Sequence, residues 1–70
     1  MLQVVRLAKP ITVTAPWGTA SEGDVVPVGS VGTIVDLYPG AAHVEFMQDS
    51  EELALEIVRL DDLQPLDAER

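Results

Sequence analysis

Residues Val28 to Phe46 read Val-Gly-Ser-Val-Gly-Thr-Ile-Val-Asp-Leu-Tyr-Pro-Gly-Ala-Ala-His-Val-Glu-Phe. Two strand-like runs are hinged by Pro39-Gly40 and preceded by a pair of glycines. Val31 to Tyr38 is rich in β-branched residues, and both of its faces are partly apolar, as expected of a strand that curls around a small closed core. Ala42 to Met47 returns as its partner, with Val44 and Phe46 on one face and His43 and Glu45 on the other. Period-two alternation puts Val44 and Phe46 inward. The pattern predicts a small β-barrel.

The flanking segments are consistent with that expectation. Leu2 to Leu7 reads as a first strand that resumes at Ile11-Thr12-Val13-Thr14 after a break at Pro10, which cannot donate to a ladder. Ala15 to Pro27 holds Pro16, Gly18, Ser21, Gly23, Asp24 and Pro27, without apolar periodicity, and is expected to be a long loop. Leu53 to Leu60 fits two periods. Leu, Ala and Glu favour a helix over residues 50–60 and hence an α+β fold. A strand is nevertheless the preferred assignment, because the preceding hairpin needs a further partner to be stable in water. Asp61 to Leu66 then forms a 3₁₀ or tight turn and a short last strand. Residues 1–66 are expected to be one domain and 67–70 a frayed tail.

A 70-residue chain buries only roughly 60% of the surface exposed on unfolding. With no cysteine it has no disulfide to compensate, so stability must come from packing or from self-association. A 47% hydrophobic content in so small a domain leaves apolar side chains to line an interface, and a homodimer is expected. The start of the chain lacks the basic, long-apolar and cleavage-site pattern of a signal peptide. No run approaches the roughly 20 apolar residues that span a bilayer. A cytoplasmic protein with no membrane partner is the expectation.

The formal net charge of -8 opposes phosphate backbones, because nucleic-acid affinity comes largely from Lys and Arg releasing counterions. No nucleic-acid partner is expected, whereas a basic protein would be steered toward the chain. Acidic residues concentrate at Asp49, Glu51, Glu52, Asp61 and Asp62, either to solvate a small sticky domain or to present a docking surface. Trp17, between Pro16 and Gly18, is either an anchor for a partner or a lid over the barrel end. Tyr38 is a candidate neighbour in an aromatic patch. The candidate partner-binding residues are therefore Trp17, Tyr38, Asp49, Glu51, Glu52, Asp61 and Asp62.

A lone histidine, His43, excludes a two-histidine metal site within one chain and carries no recognisable nucleophile with it. The acidic residues lack the spacing of a calcium loop, and Gly29-x-x-Gly32 lacks the lysine and helix of a phosphate cradle. No catalytic residue, metal or cofactor is expected, and the chain reads as a non-enzyme.

Gly29-x-x-Gly32-Thr33-Ile34-Val35-x-x-Tyr38, then Val44-Glu45-Phe46 and Leu60-x-x-Leu63, resembles the small bacterial proteins grouped as domain-of-unknown-function family 4926, over Val28 to Leu66. The resemblance implies an all-β, SH3-like barrel of about five strands with a long loop after the first strand. It extends more loosely to KOW-type barrels and to SH3-like accessory subunits of enzymes. The chain departs from the family pattern in its longer Thr12 to Pro27 segment. The function expected is a non-catalytic acidic protein-binding module, a small inhibitor, immunity protein or antitoxin docking on a basic partner. The alternatives are an accessory or regulatory subunit of an enzyme complex and, against the charge, a KOW-like RNA-associated domain.

Overall fold

The computed structural model describes residues 3–14, 18–48 and 51–66. The described residues form seven strands: β1 Gln3–Leu7, β2 Ile11–Thr12, β3 Val25–Val26, β4 Val31–Tyr38, β5 Ala41–Gln48, β6 Glu51–Arg59 and β7 Leu63–Pro65, with a 3₁₀ turn at Leu60–Asp62. Five of them form one antiparallel sheet in the order β6-β5-β4-β1-β7, and β2 and β3 form a separate two-stranded ribbon. The fold is all-β. Among the described residues no helix is long and apolar enough to cross a membrane.

The hairpin Val31 to Gln48 lies at the centre of the sheet. Pro39 and Gly40 turn the chain, Gly40 at φ 78. Tyr38 then pairs with Ala41, and the register runs to Gly32 opposite Phe46, shifting at a bulge that leaves Val35 unpaired. Val44 and Phe46 are fully buried, so the predicted inward face is the observed one. Phe46, the largest fully buried side chain among the described residues, is flanked on the two neighbouring strands by Gly32 and Ala54. Two minimal side chains leave the width an aromatic ring needs, the large-against-small alternation by which a tiny core reaches close packing.

The same logic makes Gly32 indispensable for reasons of space. A Cβ there would lie 2.5 Å from Val44 Cγ1 and 2.9 Å from the Phe46 ring, closer than packed carbon atoms tolerate. Gly32→Ala is therefore expected to destabilise the fold by about 1–3 kcal/mol, read as a lowered midpoint in urea unfolding with an unchanged slope.

Residues 51–59 form a strand, as preferred from the sequence, paired with β5 except at Leu53, where the register shifts. Helix propensity loses because the open edge of β5 offers a ladder of hydrogen bonds and a core to cover, and such tertiary contacts override local preference. The face it buries carries Ala54, Glu56 and Val58, while Ile57 is 62% exposed. A difference from the sequence reading concerns Ala15 to Pro27, expected to be loop throughout. Val25–Val26 is a strand that pairs with Ile11–Thr12. Two residues are too short a run to reveal a period, so only the long-range pairing defines it.

Leu7, Val5, Val13 and Val26 complete the core around Phe46 and Val44. Val26 on β3 and Val13, just after β2, thus join the core of the five-stranded sheet.

Candidate binding cleft

The chain segment that follows β2 is fastened to β6. Thr19 N–H donates to Glu52 O at 2.9 Å and Ala20 N–H donates to Leu53 O at 3.0 Å. Gly18 sits against the same carbonyls, where a Cβ would collide with Glu52 O, so only glycine permits this close approach. Thr14 is held separately. Its backbone N–H donates to Glu56 Oε2 at 2.9 Å, and its hydroxyl donates to Glu56 Oε1 at 2.8 Å. Glu56 is only 6% exposed. A carboxylate at such depth is tolerated because its oxygens accept hydrogen bonds in place of water.

Further along, Val13 N–H donates to Asp24 O, and Gly23 N–H donates to Val13 O. These bonds bend the segment back into β3. Between the bent ribbon and the ends of β4, β5 and β6 lies a cleft of about 450 Å³. Val13, Val26, Phe46 and Leu53 give it an apolar floor, and Asp24 and Gln48 stand on its walls. One carboxylate oxygen of Asp24, Oδ2, accepts the Ser21 N–H at 2.9 Å, which fixes the side chain in place. Ser30, also on the wall, spends its hydroxyl on Pro27 O at 2.7 Å.

No Lys or Arg is among the described residues lining the cleft. Glu51 and Glu52 open β6 at the same end, paired with Gln48 and Met47. Val13, Val26 and Phe46 are themselves fully buried, so the apolar surface within reach comes from Val25, Val31, Met47 and Leu53, and with acidic groups around it this mixed lining suits a side chain that is greasy along its length and positive at its tip. Elsewhere the charges are partly matched. Lys9 lies 3.8 Å from Asp62 and Arg59 lies 3.9 Å from Asp61. Exposed pairs of this length contribute about 0–1 kcal/mol.

The residues singled out from sequence therefore divide. Glu51 and Glu52 stand at the cleft end of the sheet. Asp61 and Asp62 lie in the 3₁₀ turn at the other end of β6, already beside Arg59 and Lys9. Tyr38 ends β4 at the Pro39-Gly40 turn, seven residues and roughly 23 Å of extended strand from Val31 on the cleft wall. Its ring is tilted against His43 at 6.4 Å. Shielding from water and the neighbouring Asp36 carboxylate hold its phenol above the ordinary value. Trp17 and Asp49 lie outside the described residues.

His43 faces away from the cleft on β5, half-buried and opposite Ile57. Among the described residues no group of three His, Cys, Asp or Glu side chains could hold a metal ion. The residues that sequence reasoning passed over are Asp24, Val13, Val26 and Leu53. Their one local signal is Asp24-Val-Val-Pro27, an apolar pair set inside turn formers.

Compared with known protein families, curated proteins and solved structures, the chain shows no significant match.

Proposed function

We propose that this chain is a non-catalytic, acidic protein-binding module with an SH3-like barrel, which docks a basic segment of a partner protein as a small inhibitor, immunity protein or antitoxin would. The strand order β6-β5-β4-β1-β7, the long excursion between β1 and β4, and the 3₁₀ turn before β7 support the SH3-like reading. The observation that carries the functional reading is the cleft, with its floor of Val13, Val26, Phe46 and Leu53 and its Asp24 wall, on a chain of formal net charge -8. An aliphatic stem packs against Val25, Val31 and Leu53, its cationic head meets Asp24, and Glu51 and Glu52 steer the approach.

Capture of a partner on the immobilised full chain, followed by affinity measurement over a salt series, tests this. Affinity is expected to fall by about tenfold or more from low to physiological ionic strength, as charge-steered docking does. Asp24→Asn keeps the oxygen that accepts Ser21 N–H and removes the charge, so it should preserve the fold and weaken binding about five- to tenfold. Salt-independent binding that is indifferent to Asp24→Asn would reject the reading.

A further inference from the structure

The two edges of the main sheet are unlike. β7 is three residues long and ends at Pro65, the usual means of blunting an edge. β6 is nine residues long, Glu51–Arg59, with neither proline nor lysine. Its first part is covered, since Glu52 and Leu53 accept hydrogen bonds from Thr19 and Ala20. Beyond Leu53, no backbone partner other than β5 is present among the described residues.

The register identifies which groups face outward along that open stretch. Leu60 N–H donates to Gly40 O, and Val58, Glu56 and Ala54 pair with Ala42, Val44 and Phe46. In an antiparallel ladder, hydrogen-bonded pairs recur every second residue. Val58, Glu56 and Ala54 therefore turn their N–H and C=O groups toward β5, and Leu55, Ile57 and Arg59 turn theirs away from it. The same three residues place their side chains on the outer face, opposite the one that buries Glu56 and Val58.

We infer that this edge pairs with a second copy of the chain, antiparallel about a two-fold axis at Ile57. Ile57 then meets the partner's Ile57, and Leu55 meets the partner's Arg59, with the reciprocal pair on the other side of the axis. Each of these pairs exchanges two N–H···O bonds. This window ends short of the stretch that Thr19 and Ala20 occupy.

The side chains complement one another in the same register. Ile57, 62% exposed in the single chain, is covered by its twin. Arg59 lies beside the partner's Leu55, which stands opposite Glu45 on β5. The span across two strands is about 10 Å, within the joint reach of an arginine and a glutamate. Glu45 has no ion pair among the described residues, and the contact between Arg59 and Asp61 is long and exposed. Each copy thus offers one cation to one carboxylate of the other, the reciprocity that an isologous interface requires.

Sedimentation of the full chain over a wide concentration series is the test. A monomer–dimer equilibrium is expected, and it should shift toward dimer as salt rises, because screening relieves repulsion between two chains of net charge -8. Partner docking in the cleft has the opposite salt dependence, so one reading can fail while the other stands. Ile57→Lys sets like charges against each other at the axis and should leave a monomer at every concentration, with circular dichroism unchanged at so exposed a position. Arg59→Glu should weaken the dimer about tenfold, and adding Glu45→Arg should restore it. Amide exchange at Leu55 and Ile57 should slow as concentration rises. A monomer under all conditions, or a dimer that survives Ile57→Lys, would overturn the inference.

Discussion

Replacing Glu56 with alanine is expected to destabilise the protein by about 2–4 kcal/mol, although the residue lies on β6, outside the hairpin that organises the sheet. Both Thr14 donors point at its carboxylate, at 2.9 and 2.8 Å, and Glu56 itself is only 6% exposed. A hydrogen bond to a charged group contributes about 1.5–3 kcal/mol, and truncating so buried a side chain also leaves a cavity, while water takes over part of the role of acceptor for the exposed Thr14. Glu56→Gln should lie between the two, since the amide retains one accepting oxygen and turns its NH₂ toward the other donor. Urea unfolding of the three proteins checks the order. Glu56→Ala should in addition loosen partner binding more than its stability loss explains at temperatures where it remains folded, because Thr14 anchors the segment that shapes the cleft. Equal stability of Glu56→Ala and the parent would contradict the clamp.

Phe46→Ala should be still more damaging, by about 3–5 kcal/mol. A 70-residue domain has roughly 4–10 kcal/mol of stability in all, taking about 0.05–0.15 kcal/mol per residue. Losing the ring between Gly32 and Ala54 removes much of that, because neither neighbour has a side chain that can move in to fill the void. Phe46→Leu retains most of the apolar volume and should lower the melting temperature by about 5–10 °C, near 1–1.5 kcal/mol. Calorimetry on the leucine variant gives the clearer number, since the alanine variant is expected to be largely unfolded near physiological temperature. A loss below that of an average surface substitution would mean that Phe46 is not the centre of the core.

The hairpin from Val28 to Phe46 was legible because its determinants are local. β-branched runs, the Pro39-Gly40 turn and strict alternation at Val44 and Phe46 all act over a few residues. Residues 53–60 were half legible. Their strand character followed from the need to complete a sheet, but the choice of face did not. Ile57, which looks like a core residue by composition, is placed beside solvent, because Phe46 takes Ala54 as its neighbour and Thr14 takes Glu56. The cleft was hidden for the same reason. Val13 with Asp24, and Thr19 and Ala20 with Glu52 and Leu53, are contacts across tens of residues, and neither periodicity nor turn chemistry encodes them. Glu56 shows the limit plainly. Between Leu55 and Ile57 a glutamate reads as the wet face of a strand, and only the approach of Thr14 makes it a buried acceptor.

The central claim is that the slot beside Asp24 receives a basic, partly apolar segment. It is tested most directly by titrating the isotope-labelled chain with an arginine-rich peptide carrying one leucine, while amide shifts are followed residue by residue. A control peptide has glutamate in place of each arginine. Saturable shifts are expected at Val26, Ser30, Met47 and Leu53, weakened by salt and by Asp24→Asn, and absent with the acidic control. Shifts that gather instead around Val35 and Ile57 on the outer face, or that are the same for both peptides, would contradict it.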